Sequence, residues 1–372
     1  METEAAMDEL DVLVLQGGGA LGAYQAGVFE ALFASGRRTD WVAGVSIGAI
    51  NAALIAGNPP EQRTARLHAF WDRVSSAGAA FAQPLNLLPR GVSNELSASM
   101  VMARGVPGFF APRFPPAALM PRGSTGATSF YDTAPLRDTL LELVDFDYLN
   151  TGPVRFSTGA VNVATGNMTW FDSTHDRIGP EHVMASGALP PGFPAVEIDG
   201  QFYWDGGLVS NTPLQYVYDE RGPEALCIFQ VDLFNARGAV PASIWDIEGR
   251  AQDIRFSSRT RFNTDMLCDR HSLCMSGQRL YDKLPAELRD DADARALLSN
   301  SHSSKITIAH MIYRQTRHET HSKDYEFSRA SMLDHWAAGA EDAATTLTHP
   351  EWAARHDDPA HVRVFDLTKE RP

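Results

Sequence analysis

Cysteine is scarce in this sequence, with Cys227, Cys268 and Cys274 as the three thiols among 372 residues. An odd number of thiols without a paired framework is typical of a reducing compartment and excludes a disulfide scaffold. Long apolar runs are also missing, since none approaches the ~18 residues that a membrane-spanning helix needs. The residues before Asp11 are acidic, whereas a secretory signal is basic. These absences predict a cytoplasmic protein.

Basic side chains are outnumbered by acidic ones. Lys and Arg total 32 against 46 Asp and Glu, which gives a formal net charge of -14. Such a surface repels phosphate backbones, so nucleic acid is not an expected partner. It also argues against simple electrostatic adhesion to anionic membranes, but leaves apolar contact with a lipid interface open. The length and a 44% apolar content allow a substantial core.

The first part of the chain alternates strand and helix patterns. Short apolar runs at 11–16 and 41–45 predict buried strands, and the stretches 20–35 and 47–56 predict helices. A strand–helix–strand–helix order predicts a parallel sheet with helices on both sides. We therefore expect a three-layer α/β/α fold with a largely parallel central sheet.

Later segments extend this pattern. Strand and hairpin signals occur at 154–163, 168–171, 195–198, 201–204 and 225–233. After Pro241 the apolar spacing predicts long amphipathic helices, then a strand at 305–313 and a helix at 328–347. We predict one domain over 10–235 and a mostly helical C-terminal extension over 236–372. Whether that extension completes the core, caps it or forms an oligomer interface is left open, as is the oligomeric state.

A glycine-rich loop, Gly17-Gly-Gly-Ala-Leu-Gly22, joins the first strand to the first helix. Glycine permits positive φ, so successive backbone N–H groups can point into one concavity at a helix N-terminus. Such a concavity holds an anion, either a phosphate or a developing oxyanion. The loop also matches the dinucleotide-binding fingerprint, and Asp40 lies near the spacing of the ribose-binding acid. However, Asp40 precedes the second strand, whereas that acid belongs at its end.

Two further motifs carry potential chemistry. Gly44-Val-Ser46-Ile-Gly48 lies at the second strand-to-helix junction, where a nucleophile elbow needs small residues on both sides of its serine. Asp205-Gly-Gly207 follows a predicted strand, at a place where the backbone approaches another group closely. An ordinary Asp-Gly turn is the alternative for this third motif.

Together and in this order, the three motifs resemble the patatin-like phospholipase family. Flanking segments match as well: 22–27, 48–52, 188–194 and 208–213. The resemblance covers about residues 10–235 and implies a patatin-like three-layer fold. It also implies hydrolysis of a lipid acyl ester, with a phospholipid or lysophospholipid as the expected substrate and with neither metal nor cofactor.

The resemblance implies a Ser–Asp dyad, in which Asp205 accepts the Ser46 proton directly and an acyl-enzyme forms. Backbone N–H groups of one loop would stabilise the oxyanion: Gly17, Gly18, Gly19, Ala20 and Gly22. Other glycines would shape the turns around the dyad: Gly44, Gly48, Gly206 and Gly207. Leu21 stands where family members often carry arginine, a departure that leaves the backbone donors unchanged.

Several alternatives remain at this stage. The substrate could be another acyl ester, including a hydroxyacid ester, or the fold could serve as a non-catalytic lipid-binding module. A Ser–His–Asp triad would need a downstream histidine: His302, His310, His318 or His321. Metal sites fail on spacing, because Cys268, His271 and Cys274 diverge around a helix, and His318 and His321 are one residue short of a zinc-protease pair.

Residues 78–129 predict a lid-like insertion. This stretch holds seven prolines and many large apolar side chains, and regular structure is expected only in a short helix at 93–103. Long loops in compact domains usually bind or cover a site. The hypothesis is that the insertion covers Ser46 and receives the acyl chain or contacts a membrane; the alternative is a packed Ω-loop.

Overall fold

The computed structural model describes residues 9–76, 90–299, 304–314, 319, 322–357 and 362–368. Eleven strands occur in these residues: β1 (Glu9–Leu15), β2 (Trp41–Gly44), β3 (Ala111–Pro112), β4 (Tyr131–Asp132), β5 (Arg155–Asn162), β6 (Met168–Asp172), β7 (Val196–Ile198), β8 (Gln201–Asp205), β9 (Ala225–Asp232), β10 (Ile306–Ile312) and β11 (Val362–Phe365).

The described helices alternate with these strands along the chain. They are α1 (Gly22–Ala34), α2 (Ile47–Ala56), α3 (Pro60–Val74), α4 (Arg90–Arg104), α5 (Ala134–Leu143), α6 (Phe146–Thr151), α7 (Pro180–Ser186), α8 (Leu214–Asp219), α9 (Ile244–Tyr281), α10 (Ala292–Ser299), α11 (Arg329–Thr348) and α12 (Pro350–Ala353). Short 3-10 turns precede α1 and follow β8, at Gly19–Leu21 and Gly206–Leu208.

One large sheet organises the molecule, with the order β11-β10-β9-β1-β2-β5-β8-β7 and β6 paired to β5. Neighbours from β11 to β5 are parallel, whereas β6, β7 and β8 add antiparallel pairs at one side. Apart from the edge strand β11, the parallel strands are largely buried on both faces, as is usual for such sheets. The predicted largely parallel sheet in a three-layer α/β/α fold is confirmed.

Helices cover both faces of the sheet. A large core packs one face against α1, α2 and α3, and a smaller one packs the other face against α8 and α9 through Leu214, Val217 and Leu267. The predicted helices and hairpins occur close to their expected positions. The first helix differs, because residues 19–21 form a tighter 3-10 turn before α1 begins at Gly22.

The C-terminal region is mostly helical and is part of the same core. Strands β10 and β11 extend the sheet beside β9, and α11 packs along α1. A Cβ on Gly27 would overlap the carbonyl oxygen of Trp336, and one on Gly339 would overlap that of Tyr24. The two helices therefore touch through their backbones, which only glycine allows. The domain boundary near residue 235 stays a prediction.

Candidate active site

Ser46 lies in a tight turn between β2 and α2. Its φ of 57° and ψ of -123° are unusual for a residue with a side chain. The flanking glycines are required sterically, because a Cβ on Gly44 would overlap the Gly48 carbonyl and one on Gly48 would overlap that of Leu15. Backbone strain of this kind at a serine is the geometry of a nucleophile elbow.

Asp205 ends β8 and is almost fully buried, with 3% of its surface exposed. The Gly207 N–H donates to its Oδ1 at 2.7 Å. Burial raises the pKa of Asp205 to about 7, because it outweighs the Gly207 N–H and the Ser46 side chain, which both lower this pKa. The carboxylate is thus a stronger base than an exposed aspartate, and it lies near enough to Ser46 for the serine side chain to affect its pKa.

The strand order explains why two residues so distant in sequence meet. Ser46 follows β2, which is parallel to β5, and β8 runs antiparallel to β5 with Asp205 opposite Ala160. The carboxyl end of β2 and the end of β8 are therefore separated by one strand. Gly206 and Gly207 also lack room for a side chain: a Cβ would overlap the Gly159 carbonyl or lie 2.7 Å from Asn211 Oδ1.

The glycine-rich loop lies beside the serine, since a Cβ on Gly17 would be 3.0 Å from Ser46 Cβ. Several of its N–H groups are occupied. Gly17 donates to the Asn211 carbonyl at 3.1 Å and Ala20 to the Asp324 carbonyl at 2.7 Å, while the Gly22 N–H bonds Gly19 within the 3-10 turn.

The N–H groups of Gly18 and Gly19 have no hydrogen-bond partner within the described part of the chain. Both residues are half-buried, and Gly19 has a positive φ of 56°. Two adjacent donors without a protein acceptor, next to a strained serine, are the elements of an oxyanion-binding site. Their position between β1 and α1 follows from the loop that the sequence predicts.

A family model described as patatin-like phospholipase matches residues 13–218, more than half of the chain. The chain belongs to the patatin-like phospholipase family. A second model, described as patatin phospholipase, matches residues 254–359, within the C-terminal region. Patatin-like phospholipases act on lipid substrates.

Two solved structures of bacterial proteins are similar to this patatin-like chain. VipD from Legionella pneumophila is 12% identical, with 91% of this chain and 66% of that chain covered and a TM-score of 0.39. ExoU bound to SpcU, from the type III secretion system of Pseudomonas aeruginosa, is 15% identical, with 69% and 51% covered and a TM-score of 0.26. The chain thus spans less than two thirds of either protein. No curated protein matches the sequence.

Three contacts of the patatin-like site were not predicted from the sequence. The Ser46 N–H donates to Ser186 Oγ at 3.0 Å, and Ser186 donates onward to the Gly159 carbonyl at 2.8 Å. Asn211 Nδ2 donates to the Gly17 carbonyl at 2.8 Å. A Cβ on Gly187 would lie 3.9 Å from Ser46 Oγ, at ordinary van der Waals distance, so this glycine borders the hydroxyl. Asn211 belongs to a flanking segment that matches the family, which was the available signal.

Gln16, the last residue before the glycine-rich loop, is fully buried and fixes the loop to its surroundings. Its Nε2 donates to the hydroxyls of Thr212 and Thr260, each at 3.1 Å, and its Oε1 accepts the Leu233 N–H at 2.6 Å. A side chain bonded on both ends holds the loop to β9 and α9. This role of Gln16 was not predictable from the sequence, because it depends on tertiary contacts.

The triad and dinucleotide alternatives receive no support from the described residues. His310 lies on β10, three strands from β2, which is roughly 14 Å at the usual strand spacing. It hydrogen-bonds Asp232 instead. Asp40 bonds the Asp11 N–H before β2 begins, at the opposite end of the strands from the glycine-rich loop. His302, His318 and His321 lie outside the described residues.

One cluster has the composition of a metal site. Ligand atoms of Glu9, Asp11 and Cys227 lie within 4.8 Å of one another, all buried. Arg37 already pairs with Asp11 at 3.0 Å and supplies a positive charge there. The cluster is at the starts of β1 and β9, far from the carboxyl ends of the strands where Ser46 lies. The expectation that the reaction needs no metal stays a prediction.

The described part of the lid-like insertion has one portion with buried apolar side chains and one with exposed apolar side chains. Phe109 and Phe110 are buried and contact the ring of Phe193, so they belong to the core. Phe114 and Leu119, by contrast, are 95% and 76% exposed. Residues 77–89 lie outside the described residues. Among the described helices, none is both long and apolar enough for a membrane crossing.

Proposed function

We propose that this chain hydrolyses lipid acyl esters through Ser46 and Asp205. The observation that carries the proposal is the placement of the strained Ser46 and the buried Asp205 at strand ends on either side of β5, where the Ser46 side chain lowers the pKa of Asp205. The glycine-rich loop beside them has two N–H donors with no partner among the described residues. Family membership supports the reaction class. Phospholipid and lysophospholipid are the proposed substrates.

In the first half-reaction, the Ser46 hydroxyl attacks the ester carbonyl while Asp205 accepts its proton. The N–H groups of Gly18 and Gly19 stabilise the oxyanion, together with that of Ile47, the residue after the nucleophile. Loss of one such donor typically costs ~3 kcal/mol in the barrier. The ester oxygen then leaves as an alcohol and takes the proton back from Asp205.

In the second half-reaction, water attacks the acyl-enzyme and Asp205 accepts a proton from that water. Collapse of the second oxyanion releases the fatty acid and restores the Ser46 hydroxyl. Leu21 is fully buried in the core, so the oxyanion stabilisation proposed here depends on backbone donors rather than on a side chain at that position.

Contact with a lipid surface is proposed for the insertion at 78–129. Between residues 96 and 131 there are three arginines and no acidic residue, although acids outnumber bases in the whole chain. The exposed Phe114 and Leu119 lie in this stretch. Apolar side chains near arginines are suited to the headgroup region of a membrane. Binding would be peripheral, and the cytoplasmic location stays a prediction.

The two residues that follow the insertion connect it to the site. The Phe130 N–H donates to the Pro191 carbonyl at 3.0 Å and the Tyr131 N–H to the Gly192 carbonyl at 2.9 Å. Residues 187–193 form the loop that begins beside Ser46, at Gly187. A lipid held by the insertion would therefore lie near the nucleophile.

The test is hydrolysis of phosphatidylcholine vesicles, with products separated by mass spectrometry. We expect free fatty acid and lysophospholipid from the unmodified protein, and at least a ~1000-fold loss in Ser46→Ala because the nucleophile is gone. Ser276→Ala, an exposed serine on α9, is the matched control and should keep full activity. Equal turnover by Ser46→Ala would contradict the proposal.

A further inference from the structure

The glycine-rich loop contacts the C-terminal region through one residue, Asp324. The Ala20 N–H donates to the Asp324 carbonyl oxygen at 2.7 Å. A Cβ on Gly19 would overlap that same oxygen, and Gly19 also has a positive φ. The carbonyl therefore fits against two consecutive residues of the loop, at the point where the loop turns into α1.

This contact determines which backbone N–H groups of the loop remain free to bind an oxyanion. With the Ala20 N–H bonded to Asp324, and Gly17 bonded to Asn211, the two N–H groups between them face no protein acceptor in the described residues. The residues on either side of this pair, Gly17 and Ala20, are thus held by hydrogen bonds to residues outside the loop. A preorganised oxyanion site requires donors held in place before the charge develops.

Asp324 is itself held by α9. Its Oδ2 accepts a hydrogen bond from Gln252 Nε2 at 2.6 Å. The preceding residue, Lys323, pairs with Asp253 at 2.6 Å, and both of these side chains are buried. Two adjacent residues of the segment thus bind two adjacent residues of the helix. Buried, hydrogen-bonded charges of this kind fix geometry strongly.

We infer that Asp324 is a positioning residue for the glycine-rich loop. Its carbonyl group holds the N–H groups of Gly18 and Gly19 in position, and Gln252 holds Asp324 in position. This inference rests on the proposed function, and assigns the C-terminal region a direct part in the same site. Asp324 touches no reacting atom in this account. Its effect is on the transition state, where the donors act, rather than on substrate binding.

The test compares Asp324→Ala and Gln252→Leu with Asp324→Asn, which keeps an oxygen acceptor for Gln252. Two readouts are measured: ester hydrolysis, and amide hydrogen exchange of the peptide that covers residues 16–24. We expect kcat to fall about tenfold with KM within twofold, since the oxyanion donors act only in the transition state. The loop should exchange about tenfold faster, and Asp324→Asn should restore both values.

Gln278→Leu, the same substitution near the other end of α9, is the matched control and should leave both readouts unchanged. Unchanged exchange in Asp324→Ala and Gln252→Leu, or faster exchange with unchanged kcat, would overturn the inference. If Asp324→Ala does not fold, Gln252→Leu decides, because it leaves the segment itself intact. Absence of hydrolysis in the unmodified protein would overturn the proposed function instead, and the exchange readout would still decide whether Asp324 fixes the loop.

Discussion

At the scale of single residues, the candidate site was predicted mainly from the spacing of glycines. Gly44 and Gly48 were predictable because an elbow leaves no room for side chains, and the structure gives each a carbonyl neighbour that a Cβ would overlap. Ser186, Gly187 and Gln16 were not predictable, since their roles depend on contacts between segments far apart in sequence. Local sterics leave a trace in the spacing of glycines, whereas the tertiary hydrogen bonds of Ser186 and Gln16 leave none.

The pKa of Asp205 gives a prediction at this scale. Burial raises this pKa to about 7, and the proposed base acts only when ionised. We expect kcat/KM to increase tenfold per pH unit below pH 7 and to level off above it. Initial rates on a soluble short-chain ester between pH 5 and 9 measure this profile. An ascending limb centred near pH 4, as for an exposed aspartate, would contradict it.

The stability of the folded protein should depend on pH in the opposite direction to kcat/KM, which gives a second measurement. The folded protein holds the Asp205 proton up to about pH 7, whereas the unfolded chain releases it near the ordinary aspartate pKa of 3.8. Folding therefore loses stability as pH increases between these two values. Asp205→Asn removes the buried charge, so its melting temperature should exceed that of the unmodified protein more at pH 8 than at pH 5.

At the scale of elements, strands and helices followed the apolar periodicity closely. The hairpin of β7 and β8 was predicted from Asp199-Gly200, and the structure gives both residues positive φ. The insertion was harder to predict, because composition alone does not separate buried from exposed apolar residues. Phe109 contacts the core rings, whereas Phe114, five positions later, is exposed.

The contrast between buried Phe109 and exposed Phe114 leads to a prediction for the insertion. Replacing Phe114 and Leu119 together by serine removes exposed apolar surface without opening the core. If that surface enters a membrane, hydrolysis of vesicle lipids should fall about tenfold, while hydrolysis of a soluble short-chain ester stays within twofold. Val240→Ser, at a residue that is 91% exposed outside the insertion, is the control. An equal loss on both substrates would reject membrane contact by these residues.

At the scale of the whole molecule, the fold class was predictable but the strand order was not. Alternating elements require a parallel sheet with helices on both sides, whereas the sequence holds no signal that places β10 and β11 beside β9. The sequence pattern also did not distinguish three roles of the C-terminal region, which could complete the core, cap it or form an oligomer interface. Its backbone contact with α1 through Gly339 and its contact with Gly19 through Asp324 make it part of the core.

The central claim is that this fold brings Ser46 and Asp205 together as a catalytic pair. Covalent labelling with a fluorophosphonate, followed by intact-mass spectrometry, tests it most directly, because the reagent reacts with an activated serine. We predict a single adduct on the unmodified protein, none on Ser46→Ala, and labelling at least ~100-fold slower on Asp205→Asn. The matched control Asp219→Asn, a half-exposed aspartate paired with Arg270, should label normally. An adduct on Ser46→Ala, or unchanged labelling of Asp205→Asn, would contradict the account.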